Sequence, residues 1–584
     1  MDWRRMVGAA TLAALVAVPA SGASTSVVPP PAPPANPDFA TARPVVARHG
    51  MVVSDDATAT RIGLDVLRRG GNAVDAAVAV GFALAVTLPA AGNLGGGGFM
   101  LVHRADLGKT AAIDYRETAP AATTKDVFLD PNGEPDPFKS RFSGLAVGVP
   151  GTVAGFWLAW KRYGSGKLAF ADLVAPAAAI ARRGLPVDET LAASLAAARK
   201  RIARYPSAAK IYLKPDGSAP KAGDRIALGD LAATLDAIGA HGPDAFYHGP
   251  VAERIAAAVE AAGGRMTAAD LAAYRAIERE PVRGTYRGAE IVSMPPPSSG
   301  GVHVIEILNV LEGFPLAAEG LGSAKEIHDV SEAEKLAFAD RARWLGDPAF
   351  TKIPMAGLVS KDYAAALRAT IPADRARPGK EIMPGDPGRY ESPQTTHFSV
   401  VDGEGNAVSN TYTLNFYYGS GLVADGTGVL LNDELDDFSA KPGAPNAYGL
   451  LGGDANAPGP GKRPLSSMTP TFVFRDGKLF LVTGSPGGST IITIVLQTIL
   501  DAVDFGLNVA EAVDAPRTHH QGVPDVLRIE RGLSPDTLRL LEGMGYKIAV
   551  GPSMGSVNAI MRMPDGTLEG ASDPRRAGSL AAGW

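Results

Sequence analysis

The sequence predicts an α+β protein, because two hydrophobic patterns occupy two parts of the chain. Up to about residue 370, alanine-rich segments such as Leu168–Arg183, Val251–Ala262 and Ala324–Leu345 have the period of helices. After residue 395, short alternating segments joined by turn residues are typical of β-hairpins, and one of them carries an Asp-Gly turn signal. By length alone, 584 residues allow about two to four domains.

The composition excludes several classes of function. The net charge is -5, and no basic stripe is interleaved with aromatic residues, so we expect no nucleic-acid partner. The absence of cysteine excludes disulfides, thiolate nucleophiles, cysteine zinc sites and iron–sulfur clusters. The histidines show no metal-binding spacing. We therefore expect neither a metal nor another cofactor.

The N-terminus is typical of a secretory signal peptide. Two arginines precede a short apolar run, Met6–Val18, and small residues follow up to Ala23. We expect residues 1–23 to be removed and the protein to be periplasmic or secreted. An uncleaved anchor is the alternative, although the run is short for a bilayer. The proline-rich segment 24–44 favours an extended tether.

Two helices are predicted near the start of the folded chain. The first covers Asp55–Arg69, with Asp55 or Asp56 as its N-cap. Asn72 caps the second, Ala73–Leu88, which is apolar nearly all round and therefore belongs in the core.

Four successive glycines, Gly95–Gly98, lead into the strand-like segment Phe99–Val102. They do not fit either glycine-rich nucleotide motif, and they precede a strand instead of a helix. A tight turn or close backbone packing is the better interpretation.

The segment from Gln394 to Asp402 predicts a strand, His397–Asp402, that forms a hairpin with Ala407–Leu414. Cleavage before Thr395 would place a hydroxyl nucleophile and a free α-amine on one residue. Such an amine has a pKa near 7.7–8.0 and can act as a base. From these residues alone, an ordinary half-buried strand remains the alternative.

A second glycine turn, Gly484–Ser489, opens the apolar helix Thr490–Val503. Backbone N–H groups at such a helix start suit a developing oxyanion, and a plain tight turn is the alternative. Before it, the glycine- and proline-rich loop 441–464 contains Tyr448. A loop of this length is either a lid over a site or a disordered excursion.

These segments occur together in one family. The chain closely resembles the γ-glutamyltransferases (γ-glutamyltranspeptidases), which are N-terminal-nucleophile hydrolases that mature by self-cleavage. The resemblance extends from about residue 51 to the end, in blocks that include GGNAVDAAVAVGFALAV, AGNLGGGGFM, IDYRETAPAAT, SMPPPSSGG, QTTHFSVVD, NDELDDFSAKPG, TGSPGGS and GASDPR.

The resemblance implies a four-layer αββα sandwich built from two fragments of one precursor. Cleavage between Gln394 and Thr395 would give a large subunit, 45–394, and a small catalytic subunit, 395–584. The loop 441–464 would be the lid, with Tyr448 covering the site.

The resemblance also implies the roles of individual residues. Thr395 looks like the nucleophile, with Thr413 orienting its hydroxyl, and the amides of Gly487 and Gly488 look like the oxyanion hole. The residues that would hold the α-carboxylate of a γ-glutamyl group are Arg116, Ser466 and Ser467. Those that would hold its α-ammonium are Asn415, Glu434 and Asp437.

The implied activity is cleavage of glutathione and other γ-glutamyl compounds through a γ-glutamyl–Thr395 ester. The acyl group would pass to water, amino acids or peptides, and no membrane span would remain after signal removal. Two alternatives stay open: an unprocessed binding protein of the same fold, and an acylase that opens glutaryl-cephalosporins. Asp437 speaks against the acylase, since a glutaryl group has no ammonium.

We predict that the purified protein, after incubation at neutral pH, consists of fragments 24–394 and 395–584, roughly 38 and 20 kDa by their shares of the chain. Intact mass and N-terminal sequencing check this. A small fragment that begins Thr-Thr-His-Phe-Ser is expected. A single uncut chain without γ-glutamyl activity would favour the binding protein.

Overall fold

The computed structural model describes residues 42–386, 396–446 and 449–584 of the chain. In chain order, the helices are α1 (Ala57–Arg68), α2 (Ala73–Thr87), α3 (Pro137–Arg141), α4 (Thr152–Tyr163), α5 (Phe170–Arg183), α6 (Glu189–Ile202), α7 (Pro206–Tyr212), α8 (Gly229–His241), α9 (Asp244–Tyr247), α10 (Gly249–Ala261), α11 (Ala268–Ala273), α12 (Gly300–Leu311), α13 (Leu316–Glu319), α14 (Ala324–Trp344), α15 (Met355–Leu358), α16 (Lys361–Arg368), α17 (Thr490–Val503), α18 (Val509–Asp514) and α19 (Pro535–Gly543).

The strands are β1 (Val45–Ala47), β2 (Gly50–Ser54), β3 (Gly97–Arg104), β4 (Lys109–Tyr115), β5 (Leu185–Pro186), β6 (Arg225–Ile226), β7 (Ile277–Arg279), β8 (Val282–Tyr286), β9 (Ala289–Ser293), β10 (Thr396–Asp402), β11 (Ala407–Thr413), β12 (Val423–Ala424), β13 (Val429–Leu430), β14 (Thr471–Arg475), β15 (Lys478–Thr483), β16 (Thr518–His519), β17 (Leu527–Ile529), β18 (Ile548–Val550), β19 (Asn558–Arg562), β20 (Leu568–Ser572) and β21 (Leu580–Gly583).

Two seven-stranded sheets form the centre of the molecule. Their strand orders are β21-β2-β10-β11-β3-β4-β7 and β1-β20-β19-β15-β14-β9-β8. Apolar side chains that include Met51, Phe99, Phe472 and Ile560 fill the space between them. Helices α1, α2 and α4 pack on the outer face of the first sheet, with α5 against α2 and α8 against α5. Helices α12 and α18 pack on the outer face of the second sheet, with α14 and α17 against α12. This is the expected αββα sandwich, so the α+β fold class is confirmed.

Helix α2 is the buried helix that the sequence predicts. Its N-cap is closed in both directions: the Asn72 side chain accepts hydrogen bonds from the N–H groups of Val74 and Asp75, and the Asp75 carboxylate accepts one from Asn72. Helix α1 begins after Asp56, whose carboxylate accepts from Ala59 at 2.8 Å. Asp56, and not Asp55, is therefore the cap.

Strand β10 is held on both sides. It pairs with β2, where Ser399 lies opposite Val53, and with β11, where Thr396 lies opposite Tyr412. Strand β11 in turn pairs with β3 along the glycine run. A Cβ atom on Gly96 would lie 2.0 Å from a backbone oxygen of β11. Close backbone packing is therefore the reason for the glycines.

Strands β7–β9 were not predicted, because they lie inside the segment read as mostly helical. Strands β8 and β9 form a hairpin whose turn residues Arg287 and Gly288 both have positive φ, 49° and 82°. That geometry matches the right-handed twist of the strands it joins. Strand β9 then pairs with β14, with Ser293 opposite Thr471, and so joins the second sheet.

The expected signal peptide and residues 24–41 of the tether lie outside the described residues. In the part of the chain that is described, no helix is both long and apolar enough to cross a lipid bilayer.

We predict that Gly81→Ala destabilises the protein, because a Cβ atom at this position of α2 would lie 2.3 Å from the Phe156 ring. Overpacking of this kind costs about 1–3 kcal/mol. The matched control is Gly239→Ala in α8, where the nearest atom would be 3.7 Å away. That change should be neutral or stabilising, by up to about 1 kcal/mol. Thermal midpoints at one scan rate check both, and equal midpoints would contradict the packing described here.

Candidate active site

Arg116 lies at the centre of a buried charged cluster, just beyond the end of β4. Its guanidinium donates to the carboxylates of Glu434 and Asp437, the latter at 2.5 Å, and its Nε donates to the carbonyl oxygen of Pro464 at 2.9 Å. The side chains of Arg116, Glu434 and Glu117 are 0% exposed, and Glu117 lies 3.7 Å from the guanidinium. One cation therefore faces three carboxyl groups out of contact with solvent.

Glu434 and Asp437 are placed by a short 3-10 turn, Glu434–Asp437. Asn432 fixes the start of this turn: its side-chain oxygen accepts from the N–H groups of Gly148 and Glu434, and its amide donates to Gly95 at 2.7 Å. The turn is therefore attached to the glycine run next to β3.

Burial dominates the protonation of this cluster. It lowers the pKa of Arg116, but the nearby carboxylates of Glu434 and Asp437 outweigh it, and the net shift is upward. Burial raises the pKa of Glu117 to about 8 and the pKa values of Glu434 and Asp437 well above their usual range, although Arg116 opposes all three shifts. Burial therefore disfavours the ionised forms of these three carboxyl groups in the free protein.

The cluster has polar atoms left to bind a ligand. Asp437 Oδ1 and Ser467 Oγ are buried and have no hydrogen-bond partner among the described residues. Ser466 Oγ accepts from the N–H of Met468 at 3.2 Å. Ser466 and Ser467 are the next two residues after Leu465, and the carbonyl oxygen of Leu465 accepts a hydrogen bond from Arg116 at 3.3 Å. A guanidinium, two serines and spare carboxylate oxygens suit a group that carries both a carboxylate and an ammonium.

Thr413 and Asn415 connect the end of β11 to this cluster. Asn415 has a φ of 74°, and its N–H donates to Thr413 Oγ1 at 2.9 Å. Its side-chain amide donates to the carbonyl oxygen of Asp433 at 3.0 Å, and Asp433 Oδ1 accepts from the N–H of Phe416. Burial raises the pKa of Asp433 to about 6, and the ion pair with Arg201 opposes this shift. Asp433 directly precedes Glu434, so these hydrogen bonds hold the backbone at Asn415 beside Glu434.

The second glycine turn leads into α17. Gly487 and Gly488 have φ values of 145° and 71°. Among the described residues their N–H groups have no acceptor, whereas the Gly487 carbonyl accepts from Thr490 and the Gly488 carbonyl from Ile491. Gly487 and Phe416 line the same cavity, of about 980 Å³. Gly487 therefore borders this cavity, and the role of the two amides as donors to an oxyanion stays a prediction.

His397, the second described residue of β10, is a structural histidine. Its two ring nitrogens lie 2.9 Å from the hydroxyl groups of Thr411 and Ser399. Burial lowers the pKa of His397 to about 3, so the ring is neutral. It is therefore a poor candidate for a general base.

Thr395, Gln394 and Tyr448 lie outside the described residues. In the described part of the loop 441–464, Asn456 donates to the Asp437 carbonyl oxygen at 2.7 Å, and Gly443 donates to Gly452 within the loop at 2.9 Å. The loop therefore contacts the cluster through Asn456, and its role as a lid stays a prediction.

The structure brings Arg116, Glu434 and Asp437 into one cluster, with Thr413 and Asn415 joined to it through Asp433. Ser466 and Ser467 follow Leu465, which accepts from Arg116, and their role in binding stays a prediction. The sequence analysis missed Glu117, Asn432 and Asp433. The signal for the last two was present, because Asn432 and Asp433 open the acidic run that contains Glu434 and Asp437.

Comparisons with known proteins show the family of this chain. The family model described as Gamma-glutamyltranspeptidase matches residues 59–583. The chain is 55% identical to the glutathione hydrolase proenzyme of Escherichia coli (strain K12), over 93% of both chains.

Two solved structures share the fold. A cephalosporin acylase from Bacillus halodurans has a TM-score of 0.82 at 30% identity, over 93% of this chain and 97% of that chain. The Helicobacter pylori gamma-glutamyltranspeptidase has a TM-score of 0.55 at 45% identity, over 56% of this chain and 93% of that chain.

We predict that L-glutamate releases protons when it binds at neutral pH, because its ammonium favours ionised forms of Glu434 and Asp437 that burial disfavours in the free protein. Affinity should therefore fall as the pH is lowered, because protonation of Glu434 and Asp437 then competes with binding of the ammonium. Calorimetry in buffers of different ionisation enthalpy measures the release. Glutarate, which lacks the ammonium, is the matched control and should release none. A binding heat for glutamate that does not depend on the buffer would contradict the prediction.

Proposed function

The chain belongs to the gamma-glutamyltranspeptidase family, and from this premise we propose which of its residues perform each step. The protein is a self-processing γ-glutamyltransferase. The observation that carries the assignment of residues is the buried cluster of Arg116 with Glu434 and Asp437, because its charges complement the two charged groups of a γ-glutamyl compound.

Self-cleavage comes first. The Thr395 hydroxyl attacks the carbonyl carbon of Gln394, the acyl group shifts from nitrogen to oxygen, and water hydrolyses the ester. This releases the Gln394 carboxylate and the Thr395 amine. It separates the large subunit, 45–394 with the tether 24–44 before it, from the small subunit, 395–584. A peptide bond joins Thr395 to Thr396, the first residue of β10, which supports a fixed position for the new terminus.

The γ-glutamyl amide is then cleaved in two steps. The Thr395 hydroxyl attacks the γ-carbonyl carbon and gives its proton to the Thr395 α-amine. The amides of Gly487 and Gly488 stabilise the oxyanion, and Thr413 orients the hydroxyl. The leaving amine takes the proton as the C–N bond breaks. Water or an acceptor amine then attacks the ester and regenerates Thr395. The neutral, doubly hydrogen-bonded His397 supports the α-amine as the base.

Recognition is assigned to the buried cluster. Arg116, Ser466 and Ser467 bind the α-carboxylate, and Asn415, Glu434 and Asp437 bind the α-ammonium. The guanidinium fork suits a carboxylate, and the free Oδ1 of Asp437 can accept from the ammonium. When the α-carboxylate of the substrate binds Arg116, it replaces carboxyl groups that contact the guanidinium in the free protein.

The remaining assignments follow from the same family. The donors are glutathione and other γ-glutamyl compounds, and Tyr448 in the loop 441–464 covers the ester. The signal peptide directs export to the periplasm or the medium. Both steps of the reaction balance in atoms and charge without a cofactor.

A glutaryl-cephalosporin acylase is the second candidate, favoured by the likeness to the Bacillus halodurans enzyme. A glutaryl group would add a carboxylate to a site that already holds three buried carboxyl groups and one guanidinium. It brings no cation for Asp437 Oδ1. The charge of the cluster therefore favours γ-glutamyl substrates.

We predict that Thr395→Ala abolishes both self-cleavage and release of p-nitroaniline from γ-glutamyl-p-nitroanilide, because it removes the hydroxyl that attacks in both reactions. Thr396→Ala is the matched control and should still be cleaved and active. Gel electrophoresis and a colorimetric rate assay check both. A cleaved, active Thr395→Ala variant would remove Thr395 from the mechanism.

A further inference from the structure

A large cavity, called here the basic cleft, opens beside the glycine turn. Its volume is about 980 Å³, and it lies between one side of α6 along its length, the pair Phe416-Tyr417 and the turn at Gly487. Gly487 is the proposed oxyanion donor, and Phe416 directly follows Asn415. The basic cleft therefore adjoins the proposed position of the scissile bond, on a side that the buried cluster does not occupy.

The basic cleft is lined by many cations and few carboxylates. Glu189 is the carboxylate that lines it, and the cationic side chains are Lys200, Arg201, Arg204, Arg575 and Arg576. Arg201 is paired with Asp433, Arg575 with Glu530, and Arg576 with Asp55, at 2.6–2.8 Å.

Lys200 and Arg204 are exposed, and within the described ranges neither is paired with a carboxylate. Arg204 lies over the rings of Phe138 and Phe142, at 5.0 and 4.7 Å, which hold its guanidinium at the wall. The cleft thus presents uncompensated positive charge on its α6 side.

Arg576 also lines the basic cleft, and a short series of contacts connects it to the glycine turn. A Cβ atom on Gly487 would lie 3.5 Å from the Cα atom of Gly555. The next residue, Ser556, donates to Asp55 Oδ1 at 2.7 Å, and Arg576 donates to Asp55 Oδ2 at 2.7 Å. Asp55 takes one N–H of Arg576, so the fork retains donors for a second carboxylate.

We propose that Lys200, Arg204 and Arg576 bind a carboxylate on the amine side of the scissile bond, either that of the peptide leaving the donor or that of a peptide acceptor. The proposal rests on the proposed function, because Gly487 marks the scissile carbonyl. In glutathione this carboxylate ends the cysteinylglycine part, about 7 Å along an extended chain from the scissile nitrogen. The basic cleft is large enough to hold this dipeptide.

Two donors test the charge directly: glutathione and its C-terminal amide, which differ only in this carboxylate. We expect kcat/KM of the wild-type protein to be about tenfold higher for the acid, a size typical of one charged hydrogen bond at a partly exposed site. The ratio should fall as salt is added, because the cations are exposed. Equal kcat/KM values for acid and amide would overturn the proposal.

The double variant Lys200→Gln/Arg204→Gln tests the residues. Both side chains are exposed, so we expect normal folding. The acid-to-amide ratio should fall clearly below that of the wild type, because only Arg576 is left to bind the carboxylate. The matched control is Arg199→Gln, which removes an exposed charge of the same helix that does not line the basic cleft. It should keep the wild-type ratio. An unchanged ratio in the double variant, or an equal fall in the control, would overturn the assignment.

Wild-type turnover of γ-glutamyl-p-nitroanilide separates this inference from the proposed function. The leaving amine of this compound has no carboxylate. If the wild-type protein fails to cleave it, the proposed function fails. If it cleaves it and yet handles the acid and the amide of glutathione equally, only the inference about the basic cleft fails.

Discussion

The pairing of β10 on both sides is the constraint on which the site depends. Strands β2 and β11 flank it, so the chain that follows Thr395 begins in the middle of a sheet and not at an edge. Both sheets also combine strands from before and after residue 394, for example β2 with β21 and β9 with β14. A cut at Gln394–Thr395 would therefore leave the two proposed subunits joined by ladders of backbone hydrogen bonds and by a shared core. Self-cleavage would therefore free the α-amine of Thr395 without unfolding the protein.

The buried cluster is costly to the free protein. Carboxyl groups that are buried around one guanidinium lose more solvation than the ion pairs return, and the raised pKa values of Glu117, Glu434 and Asp437 reflect this cost. In the proposed function, the ammonium of a γ-glutamyl compound would provide the missing positive charge, and its α-carboxylate would be a new partner for Arg116. Part of the destabilisation of the free state would thus become affinity for this class of ligand.

The sequence predicted local features well and long-range ones poorly. Helix α2 was predictable because its cap residues and its apolar composition lie within one short segment, and α17 for the same reason. Hairpin β8–β9 was missed because it lies in an alanine-rich part of the chain that looks helical. Its partner strand β14 is also distant in the sequence. Arg116 and Glu434 are 318 residues apart, so no local pattern predicts their contact. The expected role of Arg116 and the four-layer sandwich were predicted from the family resemblance. The importance of Asp433 becomes visible only in the structure, through its contact with Asn415.

Charges on the two sides of the proposed scissile bond favour one orientation of a peptide donor. The buried cluster has spare carboxylate oxygens, and the basic cleft has uncompensated cations. A γ-glutamyl peptide bound in the productive direction places its ammonium in the cluster and its terminal carboxylate in the cleft. In the opposite direction, the ammonium would face Lys200 and Arg204, and the cluster would receive a carboxylate without its ammonium. Specificity is a difference between two binding free energies, and like charges in the wrong orientation increase that difference as effectively as good contacts in the right one.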